Sequence, residues 1–152
     1  ANFYDIKNVE IIENLAKEFS DYFKTVEPVP FLHDMTSKNV LIDNGKLTGI
    51  VDVDSLCFGD PLYLPGLIQA AFLADGLPND YIDYWKDALH LHSEQRRLVD
   101  FYSAQCLCYI MGEAGLQLNQ GANNRPASND LNHLQKSLSA LFENLCVSSG
   151  FS

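Results

Sequence analysis

Asn44-Gly45 constrains this chain more than any other pair of residues. An Asn-Gly step supplies the two positive-φ residues that a tight hairpin turn requires. Here it sits between two apolar, β-prone runs, Val40-Leu41-Ile42 and Lys46-Leu47-Thr48-Gly49-Ile50-Val51. A hairpin over these residues follows. Pro30-Phe31-Leu32 reads as a further short strand.

Helical periodicity occupies most of the remaining chain. From Asn8 to Val26 the apolar residues Ile12, Leu15, Ala16, Phe19, Tyr22, Phe23 and Val26 recur at three- and four-residue steps. That spacing predicts one amphipathic helix with Asn8 as N-cap, stopped by Glu27-Pro28-Val29-Pro30. Asp60-Pro61 predicts a helix start, with Pro65-Gly66 expected to kink or restart it. Further helices are predicted over Asn79 to Leu89, behind Ser93, and behind Ser128, where Leu131, Leu134, Leu138, Leu141, Phe142 and Leu145 form a core stripe. Gly121 to Pro126 reads as a loop. The expectation is one mainly α domain (α+β) over residues 1–152: a helical bundle with a small β-hairpin region.

Charge narrows the partners. Ten Lys and Arg stand against twenty Asp and Glu, a formal charge of −10. No basic cluster is longer than Arg96-Arg97, which argues against nucleic acid and anionic membranes. A cationic or neutral small molecule fits better. No apolar run approaches the ~20 residues of a membrane span. Cys57, Cys106, Cys108 and Cys146 lack metal-site spacing and read as reduced, mostly buried thiols of a cytoplasmic protein. A chain that opens on Ala1 rather than methionine reads as a processed or trimmed piece.

The chemistry-bearing residues concentrate between Phe31 and Pro61. Asp34 is followed five residues later by Asn39, just before the first hairpin strand. The hairpin then leads to Asp52 at the end of the second strand, with Asp54 two residues on. Carboxylates and an amide gathered by one hairpin make an oxygen-rich site, which suits magnesium shared with phosphate oxygens. A carboxylate left uncoordinated there can orient and deprotonate a hydroxyl. Taken singly, each residue has a plainer reading: Asp34 caps a turn, Asn39 braces a loop, Asp54 is a solvated carboxylate, and Asp60 is an N-cap. His33 reads as a loop-packing or hydrogen-bonding residue, His90 and His92 as helix-end residues facing solvent or the helix dipole, and His133 as a surface helical residue.

As an ordered set, Asp34-x-x-x-x-Asn39, the hairpin, Ile50-Val51-Asp52-Val53-Asp54 and Gly59-Asp60-Pro61 resemble the catalytic core of aminoglycoside phosphotransferase-like kinases. These are small-molecule kinases with a protein-kinase-like fold. The resemblance covers most of the chain and implies the C-terminal, catalytic lobe of such a fold. It implies Asp34 as catalytic base, Asn39 and Asp52 as magnesium ligands, and Asp54 as a second metal contact or a solvated neighbour. Lys38, in the same loop, either touches the transferring phosphate or is solvated. ATP is the implied co-substrate and a small-molecule hydroxyl, cationic on the strength of the acidic helical region, the implied acceptor. Two departures stand out. Leu32 replaces the loop-bracing histidine of the family's His-Gly-Asp, and Leu64 replaces the second Asp of its Gly-Asp-Pro-x-x-Asp, as if one polar brace had become apolar. No glycine precedes Gly45, so residues 1–44 hold no glycine-rich nucleotide loop. The expectation is therefore a lobe that is inactive alone and pairs as a homodimer through surface the missing lobe would cover. The competing reading is a non-catalytic, degenerate lobe serving as a binding or assembly module.

Overall fold

A computed structural model describes residues 6–33, 37–120 and 128–151; for residues 37, 114–120 and 128–135 it describes the backbone only. The N-terminal apolar periodicity produces two helices rather than one. Helix α1 spans Ile6–Glu18 and α2 spans Ser20–Thr25. Phe19, at φ −86° and ψ 10°, parts them. Hydrogen bonds from Phe19 N–H to Leu15 C=O (3.0 Å) and from Phe23 N–H to Phe19 C=O (3.1 Å) carry the register across the break. The buried Phe19 ring packs on Phe23 and Phe101, with the Arg97 guanidinium 5.6 Å from its centroid. Asn8 is the third residue of α1 rather than its N-cap. The helical run ends at extended Val26, ahead of Pro28 and Pro30.

Two small antiparallel sheets follow. Strand β1 (Val29–Leu32) pairs with β4 (Leu56–Gly59), and β2 (Val40–Asp43) pairs with β3 (Lys46–Ile50). Asn44 (φ 48°) and Gly45 (φ 74°) make the turn of the β2–β3 hairpin, as their identities require. An irregularity between Leu41 and Ile42 shifts the register, so Ile42 faces Leu47 while Val40 faces Ile50. This leaves Val40, Ile42, Leu47 and Ile50 on one apolar face.

The rest is helical: α3 (Tyr63–Ala74), α4 (Asp80–Ala88), α5 (Ser93–Gln120) and α6 (Ser128–Ser148). Helix α3 begins two residues later than Pro61 predicts and runs unbroken through Pro65 and Gly66. Pro65 is its third residue, where an amide hydrogen has no intrahelical acceptor to lose. Gly66 marks the closest approach of α3 to α5. A Cβ there would lie 2.5 Å from Tyr102 Cβ and 2.8 Å from the Val99 carbonyl oxygen.

Helix α5 is the core's centre, with Leu98, Val99, Ala104, Leu107 and Met111 fully buried. Helix α6 contributes Leu138, Phe142 and Leu145 from its apolar stripe. The side chains of Leu131, Leu134 and His133, and the segment Gly121 to Pro126, lie outside the described residues. Gly150 (φ 69°) then turns the chain so that Phe151 N–H reaches Cys146 C=O (2.8 Å) and the Phe151 ring is buried beneath Arg97. All four thiols are free. Cys106 and Cys146 are buried, and Cys57 and Cys108 half-buried. Among the described residues no helix is long and apolar enough to cross a membrane.

Candidate functional site

The hairpin positions the candidate residues through its backbone. One hydrogen bond extends the β2–β3 ladder beyond its last pair: Val51 N–H donates to Asn39 C=O at 2.9 Å. Asn39 and Asp52 therefore flank the same end of the hairpin, opposite the Asn44-Gly45 turn. Asn39 closes a 3-10 turn, Ser37–Asn39, and is 9% exposed. Asp52 is exposed and left-handed, at φ 58° and ψ 53°. Left-handed backbone is uncommon for a residue with a Cβ, though Asp tolerates it better than most. Such strain concentrates at functional sites. Both Asn39 and Asp52 already make a polar or electrostatic interaction.

From Asp52 the chain makes a second 3-10 turn, Val53–Ser55, which carries exposed Asp54 towards β4. Lys38 sits exposed beside Asn39 in the first turn. Asp34, the expected base, lies outside the described residues. Its neighbour His33 is well fixed, however. His33 N–H donates to Ser55 C=O at 3.1 Å, continuing the β1–β4 pairing in which Leu32 faces Leu56. The His33 ring lies 6.0 Å from that of Tyr63 at 24°, with Nε2 3.3 Å from the Tyr63 hydroxyl. The structure thus brings Asn39 and Asp52 to one hairpin end, and the Asp54–Ser55 turn beside His33.

Asp60 has a larger role than the N-cap its sequence suggests. Its carboxylate accepts the Leu62 N–H (2.7 Å), yet α3 starts only at Tyr63. It also accepts the hydroxyls of Tyr22 (3.0 Å) from α2 and Tyr102 (2.8 Å) from α5. Burial first, and then the Asp60 carboxylate, hold both tyrosines far above their ordinary pKa. Burial likewise raises Tyr63, with Cys106 as its next neighbour in effect. The β4–α3 corner is thereby bound to two helices distant in sequence. Tyr22 reads in sequence only as one of an apolar stripe, and nothing in the spacing of Tyr22 and Tyr102 announces a shared carboxylate.

Among the described residues no three or more His, Cys, Asp or Glu side chains gather into a metal-binding group. An amide residue and a carboxylate residue at one hairpin end could supply the few protein oxygens that magnesium takes, the rest coming from waters and phosphates. A cleft of about 400 Å³ lies elsewhere, between α1 and the C-terminal turn, and is lined by Ile11, Leu15, Glu18 and Phe151 among others. It contains none of the candidate residues. No protein-family model, curated protein or solved structure matches the chain.

Proposed function

We propose that this chain is the C-terminal catalytic lobe of an aminoglycoside phosphotransferase-like small-molecule kinase. The observation that carries the reading is the hairpin base, where the Asn39–Val51 backbone bond holds a buried amide residue and a left-handed carboxylate residue at one end of the ladder. In this reading Asn39 and Asp52 hold magnesium, with Asp54 as an outer contact, and the metal neutralises phosphate oxygens when bound. Asp34 accepts the proton of the acceptor hydroxyl as that oxygen takes the γ-phosphoryl group from ATP. Lys38 reaches a phosphate oxygen. The acceptor is a small hydroxyl compound, cationic given the −10 charge, and the protein is cytoplasmic.

The departures from the family pattern also acquire a physical account. Leu32 and Leu64 remove a His–Asp brace, but His33 and Tyr63 stand one residue along and one residue back and meet at 3.3 Å. In this reading the stacked, polar His33–Tyr63 contact stands beside the positions of the lost brace.

The test is phosphoryl transfer by the protein that carries this lobe together with a nucleotide lobe, using labelled ATP and a panel of amine and neutral-sugar acceptors. Asp34→Asn and Asp52→Asn are each expected to reduce transfer by at least ~100-fold, in line with loss of a base or of a charge-stabilising group. Transfer that survives both substitutions contradicts the assignment.

A further inference from the structure

Helix α4 distributes its polarity unusually. Its inward side chains are Ile82, fully buried, and Lys86, 7% exposed, whose ammonium lies 2.8 Å from Asp100 on α5. Its outward stripe, at steps of three, four and seven residues, is Asp80, Asp83, Tyr84 and Asp87, all exposed. The one lysine of the helix is therefore buried, while acids and a tyrosine face water. Tyr84 is 72% and Tyr81 54% exposed. Tyr81 stacks on Phe72 of α3 (5.9 Å, 26°) and approaches Trp85 (6.0 Å), so aromatic faces run from the end of α3 onto α4. Arg96 meets Asp87 at 2.6 Å. Among the described residues Asp80 and Asp83 have no ion pair.

Large exposed aromatics beside two carboxylates without ion pairs, Asp80 and Asp83, form a surface whose complement is cationic and flat. A second copy of the chain presents the same carboxylates to itself against a total charge of −10, so self-pairing here is repulsive. Nucleic acid and anionic lipid are repelled likewise. The stripe from Asp80 to Asp87 runs roughly 10 Å along the helix, the reach of several extended residues rather than of one small ammonium ion. Guanidinium groups suit both features, since they stack on aromatic faces and fork onto carboxylates, whereas ammonium groups do only the second well. We propose that the outer face of α4, with Phe72 beside it, docks an arginine-bearing polypeptide segment. The face shares no residue with the hairpin base or with the His33–Tyr63 contact: Phe72 lies nine residues along α3 from Tyr63.

The experiment is a titration of the isotopically labelled chain, followed by amide chemical shifts, with three synthetic octapeptides carrying four arginines, four lysines or four citrullines. The arginine peptide is expected to shift amides of α4 and the end of α3, to bind at least ~3-fold more tightly than the lysine peptide, and to lose ~2–5-fold in affinity with Tyr84→Ala. Asp80→Asn combined with Asp83→Asn weakens it further, while Glu10→Gln with Glu13→Gln on α1 leaves it unchanged. The citrulline peptide is expected to leave the shifts unmoved. Shifts spread over every acidic helix, equal affinity for lysine and arginine peptides, or indifference to Tyr84→Ala each overturn the proposal. So does concentration-dependent shifting of the same amides without peptide, which would assign the face to a second copy.

Discussion

Asp52 combines two demands at a single residue. Its backbone is left-handed and its side chain is the expected metal ligand, so substitutions separate the two. Asp52→Ala places a plain Cβ residue in a conformation that disfavours it by roughly 1–2 kcal/mol. Asp52→Gly relieves that strain and is expected to leave stability unchanged or slightly raised while removing the carboxylate. Denaturant midpoints for both variants check this; a glycine variant less stable than the alanine one would mean that the left-handed backbone is not the governing constraint. A second residue-scale outcome concerns pH. Tyr22 and Tyr102 titrate above their ordinary value, and burial lifts Cys106 and Cys146 to about 11 and Cys108 to about 12. A group whose pKa rises on folding lends stability that is complete below its unfolded value and is lost as pH climbs towards the folded one. Unfolded thiols titrate near ~8.5 and tyrosines near ~10, so stability is expected to fall from about pH 9 upward. Unfolding midpoints between pH 7 and 11, read with tyrosinate absorbance, test it; a flat profile contradicts the buried hydroxyls and thiols.

At the scale of elements, α3 and α5 meet at Gly66 and at the Asp100 network. Gly66→Ala forces a methyl group against Tyr102 and the Val99 carbonyl, an overpacking expected to destabilise by about 1–3 kcal/mol. Asp100 accepts Lys86 (2.8 Å), Gln69 (2.9 Å) and Ser149 (2.9 Å), joining α4, α3 and the C-terminal turn. Asp100→Ala strands a buried ammonium and is expected to destabilise by about 3–5 kcal/mol. Calorimetric melting of the two variants checks both; wild-type melting of Asp100→Ala would show that Lys86 finds water. These elements also show what the sequence could reveal. The hairpin was legible because Asn44-Gly45 is a local signal, and α6 because its leucine stripe recurs over several turns. Strand β4 was not, since Leu56-Cys57-Phe58-Gly59 is short, lacks alternation and takes its identity from pairing with β1 twenty-odd residues away. The break at Phe19 escaped because the apolar spacing continues across it, and the unbroken α3 because Pro65 acts by its position in the first turn. In the candidate site, the hairpin made legible that Asn39 and Asp52 lie at one end of the ladder, while Asp34, five residues before Asn39, lies outside the described residues. The Asp60 hub is built from tyrosines on α2 and α5, and only tertiary packing joins those.

At the scale of the whole molecule, both small sheets leave apolar residues in solvent. Ile42 is 67%, Leu47 65%, Leu56 55% and Phe58 71% exposed. The Val40, Ile42, Leu47 and Ile50 face carries no charge, so it is free of the repulsion that the −10 charge imposes elsewhere. Contiguous apolar surface of this kind drives association, with two-fold pairing the commonest form. Sedimentation is expected to show dimers at tens of micromolar, strengthened by salt and abolished by Leu47→Asp. A monomer in all conditions contradicts this.

Paramagnetic relaxation reports whether Asn39 and Asp52 share a divalent cation. Manganese replaces magnesium at oxygen sites and broadens nearby amide signals. A shared cation gives selective broadening of amides around 38–40 and 51–54 at substoichiometric manganese, reversed by excess magnesium and lost in Asp52→Gly with the fold intact. Broadening spread along the acidic helices, or unchanged at the hairpin base in Asp52→Gly, would contradict it.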